Sequence, residues 1–358
     1  YTGRGDLYGE MGELDAALAD FGKALEIEPN SYVAYNDRAW ILASNGKYDL
    51  ALPDASKSLE LKEDANTYDT RGFIYAGMGE FDLALADYER AIELDPKLEA
   101  AYYHRGDLYY AHDYPDKALE DYGHALELRP NYAEVYLSRG RLHEEWERWK
   151  DAIDDYSRVI EVHTWSPDGY LKRAYVYSTL QKFDQAKADY EKAAEVDPSC
   201  DAAYVGRAQA CMAMRLMETA MEDCGKAIEA NPECAEAYKL RCSCHLDRGE
   251  FGPAIEDCSK AIEINPQCCE AYSNRGYARA ALGYVDLAIE DYQKAIELNP
   301  SFAEAYFNLG TALEALGRNR EAIRAYQKFV QYAPLKQGKT VQNVKQQIIK
   351  LSHQVGGR

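Results

Sequence analysis

The 358-residue chain sets 41 Lys and Arg against 61 Asp and Glu, a net charge of −20. That balance argues against nucleic acid or an anionic membrane surface as partner, both of which call for a basic face. No apolar run approaches the roughly 18 residues of a membrane span.

Taken along the chain, one pattern returns at nearly constant spacing. Tyr1, Tyr35, Tyr68, Tyr102, Tyr136, Tyr170, Tyr204, Tyr238, Tyr272 and Tyr306 stand 34 residues apart, with one interval of 33 before Tyr68. Numbering each unit so that this tyrosine is position 4 brings the rest into register. Position 8 is small, from Gly5 to Gly310. Position 20 is alanine, from Ala17 to Ala322. Position 24 is mostly aromatic, as in Phe21, Tyr88 and Tyr292. Positions 4, 8 and 11 form one helical stripe, and 20, 24 and 27 form a second. A turn lies between them, often with glycine at position 15, and proline at position 32 closes most units. A fixed period of this length predicts an all-α solenoid of tandem helix–turn–helix repeats over residues 1–334, in which each unit packs mainly on its neighbours. Because the chain starts at Tyr1, inside a repeat and without Met, it reads as a fragment or a processed form.

The irregularities come in order. Pro53 falls at position 22, which requires its helix to start late. The fourth unit replaces its turn glycine with His112-Asp113-Tyr114-Pro115, and the fifth and sixth hold Trp146, Trp149 and Trp165; we read both as reshaped turns. All nine cysteines lie between Cys200 and Cys269, an odd, clustered set unlike a secreted disulfide framework. No Asn-x-Ser/Thr acceptor is present, and both facts point to a reducing, cytoplasmic setting. Cys242 and Cys244, two apart on one helix, point to different faces and suit a tetrahedral metal site poorly. The cysteines read as small buried hydrophobes, with no metal. After Pro334, residues 335–358 carry Lys336, Lys339, Lys345, Lys350 and Arg358 and no acid. Val341, Val344, Ile348, Leu351 and Val355 follow helical spacing, so a basic amphipathic helix is predicted to cap the last repeat.

These features resemble the tetratricopeptide repeat family over residues 1–334, on Tyr272, Gly276, Ala288, Tyr292, Ala295 and Pro300 and their equivalents in the other units. The resemblance implies antiparallel helix pairs stacked into a right-handed superhelix, with the first helices lining a concave groove. One departure is the arginine at position 7, where the family usually has leucine. It recurs from Arg4 to Arg275 and is accompanied by aspartate at position 23, from Asp20 to Asp291; the tenth unit loses both, as Leu309 and Ala325. Each residue lies about 60° off its core stripe. We read them as within-unit ion pairs, Arg105 with Asp121 and Arg275 with Asp291, because pairing between units would leave one member alone. The tyrosines at positions 4, 11 and 24 read as core. Arg4-Gly5-Asp6 and Arg105-Gly106-Asp107 fall inside helices and are not displayed for adhesion.

No phosphate loop, nucleophile elbow or localised catalytic set occurs, so no catalytic residue and no cofactor are assigned. Positions 5, 9 and 12 form a separate first-helix face, which the resemblance places in the groove. There stand Trp40, Phe73, Tyr103, Tyr110, Arg141, Tyr175, Tyr277 and Phe307, candidates for contact with a partner. Position 9 is never asparagine, and Lys239 is accompanied by Ser243, so the clamp that family members use for chaperone C-termini is missing. The sequence thus predicts a non-enzymatic scaffold for a protein or peptide segment, with acidic rims favouring a basic one. Two alternatives stand beside it: head-to-tail self-assembly into oligomers or filaments through the solenoid ends, and the targeting arm of a larger enzyme.

Overall fold

A computed structural model describes residues 1–334 and 338–356. Lys336 and Arg358, two of the five bases of the tail, lie outside the described residues. The chain divides into two compact units, residues 1–164 and 165–358. The first holds α1 (Thr2–Glu10), α2 (Leu14–Ile27), α3 (Tyr32–Ser44), α4 (Tyr48–Leu61), α5 (Ala65–Met78), α6 (Phe81–Leu94), α7 (Glu99–Ala111), α8 (Pro115–Leu128), α9 (Ala133–Glu145) and α10 (Trp149–Val162). The second holds α11 (Asp168–Thr179), α12 (Phe183–Val196), α13 (Asp201–Ala213), α14 (Met217–Ala230), α15 (Ala235–Asp247), α16 (Phe251–Ile264), α17 (Cys269–Ala281), α18 (Val285–Leu298), α19 (Ala303–Ala315), α20 (Asn319–Tyr332) and α21 (Gly338–Gly356).

Consecutive helices pair, α5 with α6 and α17 with α18, and within each compact unit a second helix also packs on the first helix that follows it, as α4 does on α5 and α12 on α13. First helices touch one another in series, α1–α3–α5–α7–α9 in one unit and α11–α13–α15–α17–α19 in the other. Each unit therefore presents a continuous row of first helices.

The pairing rests on one repeated contact. The alanine at position 20 is fully buried throughout, and the position-24 ring lies on the small residue at position 8. At Gly276 an added Cβ would sit 2.7 Å from Tyr292 Cε1, so only glycine lets that ring lie flat. Burying such a ring contributes about 1.5–3 kcal/mol. In the sixth unit Ala174 replaces the glycine, and Gly206 on the next first helix supplies the room instead: a Cβ there would be 2.3 Å from Tyr190 Cε1.

Three expectations need correction. Pro53 lies inside α4, which starts at Tyr48 and not later. Pro53 and Asp49, four residues back, are both exposed, so water can satisfy the carbonyl that loses its N–H partner. The turns between the paired helices of the fourth to seventh units are not reshaped, while α11, after Trp165, is 12 residues long where α9 and α13 have 13. Asp113, Glu147, Gln181 and Arg215 take φ of 62°, 56°, 58° and 63°, the left-handed conformation that Gly12, Gly46, Gly79, Gly249, Gly283 and Gly317 adopt elsewhere. Packing of the helix pair holds the turn even where the residue disfavours it. Finally, Cys242 and Cys258 are joined in a disulfide. They occupy positions 8 and 24, the pair that meets across α15 and α16. The repeat geometry, not a cysteine motif, brings them together, and the case for an all-thiol, reducing setting is weakened accordingly. Cys211, Cys224 and Cys244 are free and buried beside Leu240.

On α20, the helix α21 buries Val344 and Leu351 against Tyr326 and Phe329. Val341 and Ile348 are partly buried in the same cluster, while Ile349 is exposed.

Candidate interaction surface

The two helices of each of the first nine repeats are joined by an arginine–aspartate pair. Arg105 Nε donates to Asp121 Oδ2 at 2.8 Å and Nη2 to Oδ1 at 2.7 Å. Arg275 does the same to Asp291 at 3.1 and 2.7 Å. The same fork joins Arg4 to Asp20, Arg38 to Asp54, Arg71 to Asp87, Arg139 to Asp155, Arg173 to Asp189, Arg207 to Asp223 and Arg241 to Asp257. All nine carboxylates are buried, a burial that only a complete set of donors makes tolerable.

Two features of this array escaped sequence reasoning. The position-4 tyrosines are not core, since Tyr1 is 55% exposed and the others are half-buried. All but Tyr306, which precedes Leu309, offer the ring to the arginine three residues on, at 5.4 Å for Tyr272 and 5.7 Å for Tyr102. That stacking is worth about 0.5–1 kcal/mol at such sites. Polar residues at position 11 also turn towards the aspartate. Arg279 Nη1 donates to Asp291 Oδ2 at 2.8 Å, and His245 Nε2 lies 3.6 Å from Asp257. The sequence signal was the i,i+3 spacing of Tyr and Arg, which places them one above the other on a helix.

In the first unit the first-helix row carries an aromatic cluster. Trp40 lies 5.1 Å from Phe73, and both rings approach His104, at 5.8 and 5.4 Å. Tyr103 packs on Tyr132 at 5.3 Å. His104 Nδ1 is 2.9 Å from Asp69 Oδ1. Burial alone would lower the histidine's pKa, but the Asp69 carboxylate outweighs it and holds the value above the ordinary one. Neither Asp69, at position 5 of its unit, nor His104, at position 6 of the next, was singled out in the sequence. Asp107 accepts from Tyr122 Oη at 2.6 Å. Burial and that nearby charge push the phenol's pKa upward. Further along, the Arg141 guanidinium covers the Tyr110 ring at 4.7 Å, and Tyr110 Oη donates to Glu145.

In the second unit the candidates are dispersed. Tyr175 is 54% exposed, and Tyr277 is 49% exposed with its ring edge-on to Phe251 at 6.3 Å. Phe307 instead packs inward on Phe329 at 5.3 Å. Nearby, Asn274 Nδ2 donates to Ser243 Oγ at 3.1 Å. Arg4-Gly5-Asp6 lies within α1 and Arg105-Gly106-Asp107 within α7, with both glycines buried.

Among the described residues, no three His, Cys, Asp or Glu side chains are placed to hold a metal ion, and no helix is long and apolar enough to cross a membrane. The site chemistry is that of surfaces: aromatic faces, carboxylates and amides.

Fold and surface together define a tandem helix-pair repeat protein. Tetratricopeptide repeat models match residues 1–31, 21–52, 99–132, 167–200, 201–234, 235–268 and 303–335, and a TPR repeat model matches 72–113 and 276–317. The chain belongs to the tetratricopeptide repeat family. Among curated proteins it is similar to DnaJ homolog subfamily C member 3, 43% identical in Bos taurus and 42% in Homo sapiens over 53 residues. The match takes in 15% of this chain and spans only 10% of those relatives. Solved structures similar to it include yeast Tom70, at 17% identity over 97% of this chain and 87% of that one, TM-score 0.47. Another is YrrB, described as a TPR protein with an unusual peptide-binding site, at 22% identity over 53% and 97%, TM-score 0.44. MamA aligns at 29% identity over 44% and 91%, TM-score 0.40.

Proposed function

We propose that this chain is a non-enzymatic scaffold that binds an extended or helical protein segment along its first-helix face. The observation that carries this reading is the contrast between positions. Positions 4 and 20 never change: the first covers the arginine and the second is buried between the helices. Position 9, on the first-helix face, varies from Asp6, Asp107, Gln209, Ser243 and Thr311 to Trp40, Phe73, Arg141, Tyr175 and Tyr277, and Tyr175 and Tyr277 stand about half exposed. Large aromatic surface kept in water at a position free of packing duty is what a partner would cover. On the competing assembly reading, copies stacking at the α20 end would first have to displace α21 from Tyr326 and Phe329.

The test is selection of random 12-residue peptides displayed on phage against the intact chain, followed by direct binding to a Tyr175→Ser/Tyr277→Ser/Trp40→Ala variant. Loss of affinity of tenfold or more is expected. Selection of no peptide, or equal affinity for the variant, would overturn the reading.

A further inference from the structure

The carboxylates of the first unit are unequally provided for. Asp54 has Arg38, Asp69 has His104, and Asp107 has the Tyr122 hydroxyl. Asp37, next in sequence to Arg38, has no cation at salt-bridge distance among the described residues. Its hydrogen bond is a long one, 3.5 Å from Asn36 Nδ2. The amide oxygen of that same asparagine is buried with no partner.

Both side chains line a recess of about 280 Å³ between the N-terminal turns of α3 and α5, with Tyr32, Val33, Asp64 and Asn66. Its rim already holds one ammonium of the chain itself. Lys62 Nζ lies over the Tyr32 ring at 4.2 Å, donates to Tyr32 Oη at 2.7 Å and stands 3.7 Å from Asp64 Oδ1. That contact shows what the recess accepts, and it leaves Asp37 and the Asn36 carbonyl unanswered.

We propose that this recess receives a lysine or arginine side chain of a bound protein segment, seated on Asp37 and the Asn36 carbonyl, with the neighbouring apolar residues of the segment on Trp40 and Phe73. The inference rests on the first-helix face being the binding surface, and it names the partner's chemistry. Asp6 on α1 adds a second negative charge: burial, then the Asp6 charge, push the Asp37 pKa up to about 6. A carboxylate pushed that way is one that a cation would relieve. Two carboxylates beside an orphan carbonyl match the donors of an ammonium or guanidinium. A metal ion fits less well, since no third His, Cys, Asp or Glu converges there. Trp40, one turn beyond Asp37 on α3, supplies the apolar shelf that makes the charge contact part of a wider footprint. The net charge of −20 would speed the approach of a basic segment.

The phage selection supplies the probe. Enriched peptides are expected to carry a Lys or Arg. In fluorescence anisotropy, replacing that residue by norleucine, or Asp37→Asn in the protein, should each weaken binding tenfold or more and not additively. Glu127→Gln, which removes an exposed charge on α8, should leave affinity within twofold. Adding the peptide should also lower the Asp37 titration midpoint followed by carboxylate ¹³C NMR. Equal affinity for wild type and Asp37→Asn overturns the proposal. Enriched peptides without a basic residue whose binding still falls with Trp40→Ala overturn this inference alone and leave the first-helix face standing. If no peptide is enriched, both fall.

Discussion

Removing one partner of the pair formed by Arg207 and Asp223 gives the sharpest test of how these helix pairs are held. Asp223 is 1% exposed and takes bonds from Arg207 of 2.9 and 2.6 Å. Arg207→Leu would leave that carboxylate buried without its donor, at a cost of about 3–5 kcal/mol. The double variant Arg207→Leu/Asp223→Ala reproduces what the tenth unit already contains, Leu309 and Ala325, both buried in an intact helix pair. It should fall within about 1 kcal/mol of wild type, since replacing a buried ion pair by apolar residues is close to neutral. A repeat protein does not unfold all-or-none, so the readout should be local. Hydrogen exchange of α13 and α14 in each member of the cycle gives the opening free energy where the change was made. The coupling between the two sites should exceed about 2 kcal/mol. Additivity within about 0.5 kcal/mol would refute the reasoning and reduce the pair to two independent surface charges.

At the turns, Gln181→Gly should raise the urea midpoint of the second unit. It relieves a left-handed backbone that costs about 1 kcal/mol, whereas Gly79→Gln should lower that of the first unit by a similar amount; equal midpoints would mean the side chains relieve the strain. For pH, Asp37 has a folded pKa of about 6 against an ordinary value of about 3.9, so its ionised form is disfavoured by folding. Stability is therefore lowest above pH 6 and recovers as pH falls through 6 towards 4. With solvent screening the effect is about 1 kcal/mol. Asp37→Asn should raise the melting temperature at pH 7 and leave it nearly unchanged at pH 4. A variant no more stable at pH 7 would contradict the assignment.

The sequence by itself determined the period, and with it the fold. Ala288 and Gly276 recur because two helix backbones cannot approach closely with anything larger between them, so packing leaves an imprint at fixed intervals. The family's small and aromatic positions were legible for the same reason. Side-chain meetings that cross from one helix to another were less so. The Cys242–Cys258 disulfide, the shelf of Trp40, Phe73 and His104, and the use of Gly206 to house the Tyr190 ring are all meetings of this kind. Of these, only the disulfide falls on a repeated spacing, positions 8 and 24, where the pattern shows that the two cysteines meet but not that they bond. The Tyr–Arg stacks were visible in principle at i,i+3, yet the stripe that predicted core for Tyr272 could not say that Arg275 would cover it. The unpaired state of Asp37 is of the same kind. Its neighbour Arg38 stands beside it in sequence, but α-helical geometry turns the two side chains about 100° apart. Only the packing of α3 on α4 commits that arginine to Asp54 and leaves Asp37 facing an open recess.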